Sequence, residues 1–114
     1  MWIITRKGFL SIVEVKGGVH DGRLLVRGRL KEDVQAALTG VGYRPKPIYT
    51  PEADYTWRAY IDRTDFSEWI MREIEDIHYP NFKAQVKKDG ASEKRLALLH
   101  QVWAVLKGLN RRQQ

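Results

Sequence analysis

The stretch DYTWRAYIDRTDFSEWIMREIEDIHYPNFK, residues 54–83, joins a strand pattern to a helix pattern and decides the fold. In its first part every second residue is aromatic or aliphatic, which is typical of a half-buried strand. We expect one face of this strand to point inward, and its residues are Tyr55, Trp57, Ala59 and Ile61. The opposite face then consists of Thr56, Arg58, Tyr60 and Asp62.

The second part of the stretch has apolar residues three and four positions apart, which predicts an amphipathic helix. Its apolar stripe consists of Phe66, Trp69, Ile70, Ile74 and Ile77. We expect Asp65 to cap this helix, with Glu68 reaching back as in a capping box. Pro80 ends the helix, because the residue before a proline is disfavoured in the α conformation.

Strand-like residues also fill the N-terminal region, at 2–5 and 8–15. Because an internal glycine often marks a bulge, these residues form either one long strand bent at Lys7-Gly8 or a bulged pair. The glycine-rich segment 16–22 predicts a hairpin loop, which leads into a return strand at 23–30. On the return strand, the residues that face away from Leu24 and Val26 are Arg23, Leu25, Arg27 and Arg29.

A short helix is predicted over residues 31–39, with Gly40 as its C-terminal stop. The segment 41–51 that follows contains three prolines, so we expect an extended connector or an edge segment there. After Pro80, Asn81 is expected to cap a short helix that continues through Val86.

The last predicted helix, 92–109, begins at the cap residue Ser92 and is apolar on two sides. One stripe consists of Leu96, Leu99, Trp103 and Leu106, and the other of Leu98, Val102, Val105 and Leu109. A helix that is apolar on two sides lies between layers of its own chain or faces a partner. A homodimer formed through this helix is therefore one expectation.

The predicted order of elements is two strands, a helix, a strand and further helices, with sheet neighbours close together in the chain. This order predicts an α+β fold in which helices pack on one face of a small antiparallel sheet, as a ferredoxin-like variant. We expect a single domain over residues 1–110 and a frayed C-terminal tail at 111–114.

Charge is distributed unevenly along the chain, whose formal net charge is +6. Residues 1–63 carry 11 basic and 7 acidic side chains, residues 64–79 carry 1 and 5, and residues 80–114 carry 8 and 2. The two basic regions favour an anionic ligand, although solvated faces in mutual balance would give the same pattern. The chain has no cysteine, no membrane-length apolar run and no signal-peptide pattern, so a cytoplasmic protein is expected.

Residue patterns that are typical of catalysis are sparse in this chain. The sequence therefore favours a protein that is not an enzyme, although it does not exclude one. The three histidines, His20, His78 and His100, are far apart in the sequence, and no metal-ligand spacing or phosphate-binding glycine loop is present. We therefore expect neither a metal nor a cofactor. Asp62 and Asp65 are better explained as turn and cap residues than as ligands. A hydrolase using Asp54, Tyr79 and His100 is the weakest of the alternatives.

A binding function is better supported by the sequence. If Trp57, Ile61, Leu24 and Val26 face the helices, the other face of the sheet carries Arg27, Arg29, Arg58 and Tyr60. Arginines beside an aromatic ring suit phosphates and stacked bases. The predicted ligand is a polyanion, meaning nucleic acid or a nucleotide, with further contacts from Tyr79, Asn81 and Lys83.

Two alternatives stay open. The arginines could pair with Glu14, Asp62 and the acidic helix, or a second subunit could cover them. The protein could also be an interaction or inhibitor module of a mobile element, acting through its apolar C-terminal helix.

Four segments together carry a resemblance: MWIITRKGFLSIV, DYTWRAYIDR, YPNFK and HQVWAVL. The chain resembles a family of small, uncharacterised bacterial proteins with the pattern MWxxTxxGFxSIV, a DYxxR segment, DYxNFK and a closing helix containing VW. The matching residues are Trp2, Thr5, Gly8, Phe9, Ser11, Asp54, Tyr55, Arg58, Tyr79, Asn81, Phe82, Lys83 and Trp103. His78 stands where the family pattern has Asp. The resemblance implies a single cytoplasmic domain and no particular mechanism.

Overall fold

The computed structural model describes residues 1–16 and 22–111, and the chain divides into two compact units, Met1–Ile77 and His78–Gln114. The elements of the first unit are β1 (Trp2–Thr5), β2 (Gly8–Glu14), β3 (Arg23–Gly28), α1 (Lys31–Gly40), β4 (Ile48–Tyr49), β5 (Trp57–Asp62) and α2 (Arg63–Glu75). The second unit contains α3 (Phe82–Lys88), α4 (Glu93–Leu106) and a 3₁₀ turn (Lys107–Leu109). This division into compact units does not test the expected single domain over residues 1–110, which stays a prediction.

The first unit is built on a five-stranded sheet in the order β1-β2-β3-β5-β4, and each neighbouring pair is antiparallel. Helices α1 and α2 contribute to the same hydrophobic core as the sheet. The predicted α+β fold with a small antiparallel sheet is therefore confirmed. The three-proline segment supplies only the two-residue edge strand β4, as expected for a segment that lacks ladder donors.

The ferredoxin-like part of the prediction is not confirmed. In that motif a helix connects parallel strands, whereas here α1 lies between β3 and β5, which pair antiparallel. Strands β1, β2 and β3 form a simple meander, because each is followed by its neighbour in the sheet.

The core lies between the sheet and the helices α1 and α2. Strand residues that point to this side include Ile12, Val26 and Ile61, and each is buried. The remaining core residues of the cluster are Leu10, Val34, Ala37, Leu38, Ala59, Phe66 and Trp69. Leu24 and Trp57 pack against this cluster. The side of β3 and β5 that faces the helices is therefore the side that strand alternation predicted to face them.

The N-terminal strands form a hairpin instead of one bent strand or a bulged pair. Trp2 pairs with Ser11 and Thr5 with Gly8, so the chain reverses at Arg6-Lys7. Gly8 has a φ of 136°, a conformation that side-chain-bearing residues rarely adopt. The Phe9 amide donates to Asp33 Oδ2 at 3.0 Å, which ties the start of β2 to the first turn of α1. A reversal this tight was not evident from the strand pattern.

The helix ends differ from the sequence predictions by one to four residues. Helix α1 continues through Gly40, and Gly42, with a φ of 79°, is the residue that terminates it. The amide of Tyr43 donates to the carbonyl of Leu38 and that of Gly42 to Thr39, which is a Schellman motif. Helix α2 begins at Arg63, so its cap is Asp62 and not Asp65. It ends at Glu75, well before Pro80.

The second unit, described by itself, is a pair of helices with side-chain caps at the predicted positions. Asn81 Oδ1 accepts from the Ala84 amide at 2.8 Å, and Ser92 Oγ accepts from the Arg95 amide at 3.1 Å. Most of the predicted loop 16–22, including His20, and most of the predicted frayed tail 111–114 lie outside the described residues. Within the described residues, no helix combines the length and apolar character that crossing a bilayer requires.

We expect Gly8→Ala to lower the free energy of unfolding by roughly 2–4 kcal/mol. A Cβ at this position would overlap the buried Asp33 carboxylate, in addition to straining the backbone. Gly22→Ala is the matched control, because Gly22 also has a positive φ of 87° but no atom lies within 4 Å of its added Cβ. Urea unfolding of both variants separates the two effects, and equal losses would contradict a steric role for Asp33.

Tyr43 connects the exit of α1 to the start of α2, and this contact predicts a pH dependence. Its hydroxyl donates to Asp65 Oδ2 at 2.6 Å and accepts from the Asp62 amide at 3.1 Å. The hydrogen bond to Asp65, followed by burial, raises the pKa of Tyr43 above its ordinary value. The folded state therefore holds this proton more tightly than the unfolded state, and the stabilisation is lost as pH rises through the folded pKa.

We expect Tyr43→Phe to lower the free energy of unfolding by about 1–2 kcal/mol at neutral pH, because one hydrogen bond to a charged acceptor is lost. The difference from the wild type should stay constant up to about pH 9 and shrink above about pH 10, where the tyrosine ionises. Unfolding midpoints measured across this range test the assignment, and a difference that grows at high pH would refute it.

Candidate functional site

One row of side chains crosses all five strands on the side of the sheet opposite α1 and α2. Reading across the ladders, Trp2 is opposite Ser11, Ser11 opposite Arg27, Arg27 opposite Arg58, and Arg58 opposite Ile48. Directly opposed residues of a sheet share a face. We call this side the arginine face, and define it by Trp2, Phe9, Ser11, Arg27, Arg29, Tyr55, Arg58 and Tyr60.

The arginine face brings two like charges into direct opposition. Arg27 and Arg58 are Cα partners across β3 and β5, an arrangement that is unfavourable for like charges. The Nε atoms of both are buried and have no hydrogen-bond partner. Within residues 1–16 and 22–111, the contacts of Arg27, Arg29 and Arg58 include no carboxylate. Their charge is therefore not neutralised by this part of the chain.

Neutral groups hold two of the guanidinium groups in place. Arg27 Nη2 donates to Ser11 Oγ at 2.8 Å, and Ser11 is only 1% exposed. The Cζ atoms of Arg27 and Arg29 lie 4.8 and 4.7 Å from the centroid of the Tyr55 ring. Arg29 Nη1 also donates to the main-chain oxygen of Asp54 at 3.1 Å. The face thus orients its cations without cancelling their charge.

Aromatic rings extend from the arginines toward the edge strand β1. The ring centroids of Trp2 and Phe9 are 6.1 Å apart in a T-shaped arrangement, and those of Phe9 and Tyr55 are 6.4 Å apart. Farther along β5, Arg23 Cζ lies 5.1 Å from the centroid of Tyr60. Of these rings, Trp2 is 75% exposed and Tyr60 38% exposed, whereas Tyr55 is buried. The exposed rings could contact a planar ligand.

Tyr55 corrects the sequence prediction, which placed it on the helix-facing side with Trp57. Its ring contacts Phe9, Arg27 and Arg29 instead, on the arginine face. The reason is that β5 begins only at Trp57, so residue 55 lies in a turn where strand alternation does not apply.

The predicted site residues fall into two groups. Arg27, Arg58 and Tyr60 lie together on the sheet, and Arg29 follows directly after β3. The sequence prediction missed Trp2, Phe9, Ser11 and Tyr55 as members of this face. Phe9 and Ser11 are two positions apart in the strand pattern 8–15, so strand alternation puts them on one side, and this was the available signal.

The second group, Tyr79, Asn81 and Lys83, belongs to the second unit and makes local contacts there. Asn81 caps α3, and the Tyr79 ring lies 6.4 Å from that of Phe82. Lys83 Nζ is 4.2 Å from the centroid of the Trp103 ring and 3.3 Å from His100 Nδ1. A ligand-binding role for these three residues stays a prediction.

The acidic residues have structural contacts. Asp62 accepts from the Thr64 amide at the start of α2, and Asp65 accepts from the Tyr43 hydroxyl. In the part of the chain that the structure describes, no three histidine, cysteine, aspartate or glutamate side chains are grouped so that they could hold a metal ion.

Comparisons of the chain with protein-family models, with curated proteins and with solved structures find no match. The resemblance to the bacterial family therefore rests on its sequence motifs. Five of the residues that carry it, Trp2, Phe9, Ser11, Tyr55 and Arg58, belong to the arginine face.

Proposed function

We propose that the protein is a non-enzymatic binding domain whose arginine face holds a polyanion, either nucleic acid or a nucleotide. The observation that carries this proposal is the direct opposition of Arg27 and Arg58 without a carboxylate partner in the described chain. Tyr79, Asn81 and Lys83 are the further contacts predicted from sequence, and the cytoplasm is the expected location.

The energetics of the arginine pair favour an anionic ligand. Like charges directly opposed in a sheet cost a few tenths of a kcal/mol, up to about 1 kcal/mol. A buried donor without a partner adds roughly 1–3 kcal/mol. A phosphate accepts two parallel hydrogen bonds from one guanidinium group and is attracted to the second positive charge. Binding at the exposed edge of a guanidinium group would therefore relieve the repulsion between the two arginines.

The acidic helix does not oppose such a ligand within the first unit. Phe66 and Trp69 anchor α2 in the core, on the side of the sheet opposite the arginines. Residues 64–79, most of which are in α2, contain five acidic side chains and one basic. The sheet thus separates the acidic surface of the unit from its arginine surface. The sequence left open that the arginines form ion pairs with Glu14, Asp62 or the acidic helix. Among the described residues, such ion pairs do not include Arg27 or Arg58.

Arg58→Gln is the test, with Arg44→Gln as a charge-matched control in the exposed connector after α1. We expect the wild type to bind heparin and single-stranded RNA, with affinity falling steeply between about 50 and about 200 mM salt. Arg58→Gln should weaken binding about tenfold and flatten the log–log salt slope by roughly 0.7 for each lost phosphate contact. Its melting temperature should be no lower than that of the wild type, because a like-charge opposition is removed.

Absence of binding at about 50 mM salt would refute the proposal. So would equal affinities of the Arg58→Gln and Arg44→Gln proteins. The melting temperatures ensure that a loss of binding is not a loss of folding.

A second candidate function uses α4, and a specific pattern favours it. Leu98, Val102 and Val105 on α4 are spaced four and three residues apart, as in the seam of a coiled coil, and Leu109 follows in the 3₁₀ turn after the helix. These four residues are between 42% and 78% exposed, and no residue of α4 is buried. We propose that a second copy of the chain covers this stripe. An interaction or inhibitor module of a mobile element would use the same surface.

We expect the wild type to sediment as a dimer and Val105→Glu as a monomer, since a charge at the centre of an apolar seam cannot be buried without a partner. Met71→Glu is the control, because Met71 is also exposed but lies on α2. Sedimentation velocity over a concentration series gives the answer. A wild-type monomer at every concentration, or a dimeric Val105→Glu, would disprove the self-association.

A further inference from the structure

We infer that the polyanion bound by the arginine face is a single-stranded nucleic acid and that one of its bases stacks on Trp2. This inference rests on the function proposed above. It goes further because it adds a base contact to the phosphate contacts, and thereby distinguishes a nucleic acid from any other chain of negative charges.

Trp2 is placed as a stacking platform. Its side chain is 75% exposed although it lies within a strand and in the same row as the arginines. Its T-shaped contact with Phe9 can cover at most one face of the indole, because a ring edge meets a ring face in that geometry. A flat, exposed indole of this kind is well suited to stack on any base.

The spacing of the row suits an extended strand. Trp2, Ser11, Arg27 and Arg58 lie on four adjacent strands, so the backbones of Trp2 and Arg58 are about 14 Å apart, three strand spacings. A single strand running across the sheet would place a base over Trp2 and its following phosphates over Arg27 and Arg58. In a duplex the bases are stacked on one another and paired, so only the terminal pairs expose a face to Trp2 and none can be splayed out along the row.

The other aromatic residues explain why Trp2 is the position to test. Tyr55 already contacts Arg27 and Arg29, and Tyr60 has Arg23 against its ring. Tyr49 is 58% exposed, but it is paired with Trp57 and lies on the helix-facing side of the sheet. Tyr49 is therefore a matched control: an exposed aromatic residue of the same unit on the other face.

The experiment measures affinity by fluorescence anisotropy for three labelled probes of about 10 nucleotides, a length within the site sizes of single-strand binders. The probes are a single-stranded oligouridylate, an abasic oligomer with the same number of phosphates, and an RNA duplex. The proteins are the wild-type chain, Trp2→Ala, Trp2→Phe and Tyr49→Ala.

We expect the wild type to bind the oligouridylate about tenfold more tightly than the abasic oligomer or the duplex, the effect of one stacked base. Trp2→Ala should lose this preference while its affinity for the abasic oligomer stays unchanged. Trp2→Phe should recover part of the preference, and Tyr49→Ala should keep it entirely.

Three other outcomes overturn the inference, and the first two can be told apart from the third. Equal affinity for the oligouridylate and the abasic oligomer, or a preference that persists in Trp2→Ala, would leave polyanion binding intact and remove the base contact. No binding of any probe at low salt would refute the proposed function together with the inference.

Discussion

The pairing of β3 with β5 determines where every other part of the first unit lies. Their register sets Val26 opposite Ala59 and Arg27 opposite Arg58. Because side chains alternate between faces, a slip by one residue would move the arginines into the core and Val26 out of it. Val26 and Ile61 are fully buried, so burial of the apolar side enforces this register. The opposition of the two arginines is thus a consequence that the core maintains, although the charges themselves disfavour it.

Within the described residues, the groups that hold the guanidinium of Arg27 in place are neutral, and this has a physical consequence. A carboxylate at the position of Ser11 would hold Arg27 more strongly, but it would also cancel the charge that a phosphate requires. Ser11 and Tyr55 fix the guanidinium of Arg27 by one hydrogen bond and by contact with a ring face. A planar guanidinium group stacks on a ring and still presents donors at its edge, which a lysine ammonium group does not do. Restricting the side chain beforehand lowers the entropy that binding would otherwise cost.

The strand faces could be predicted from sequence, because strict alternation in 23–28 and 57–62 assigns each residue to one side. The turns and the strand order could not be predicted from the sequence in this way. The Gly8 conformation depends on the Asp33 carboxylate across 25 positions of chain, and the position of Tyr55 depends on a turn whose contacts come from β2 and β3. A contact that is distant in sequence also explains why the cap of α2 differs from the prediction. Asp62 and Asp65 are both suitable cap residues, but the Asp65 carboxylate accepts a hydrogen bond from the Tyr43 hydroxyl, and Asp62 caps the helix. Of the candidate site, alternation therefore predicted Arg27, Arg29, Arg58 and Tyr60, whereas the row that continues to Trp2 required the β1–β2 hairpin.

The arginine face belongs to the first unit and the α4 stripe to the second, and the two proposals are linked through the length of the ligand. Two chains joined by α4 would carry two arginine faces, and the second contact with one long strand would then be intramolecular. A mononucleotide gains nothing from such a pairing, because it cannot reach two faces at once. Self-association through Val105 and its neighbours would therefore favour long strands over short ones with no change in any single contact. If each copy makes only a few phosphate contacts and stacks one base, as proposed, pairing of copies would have a large effect on the affinity of so weak a site.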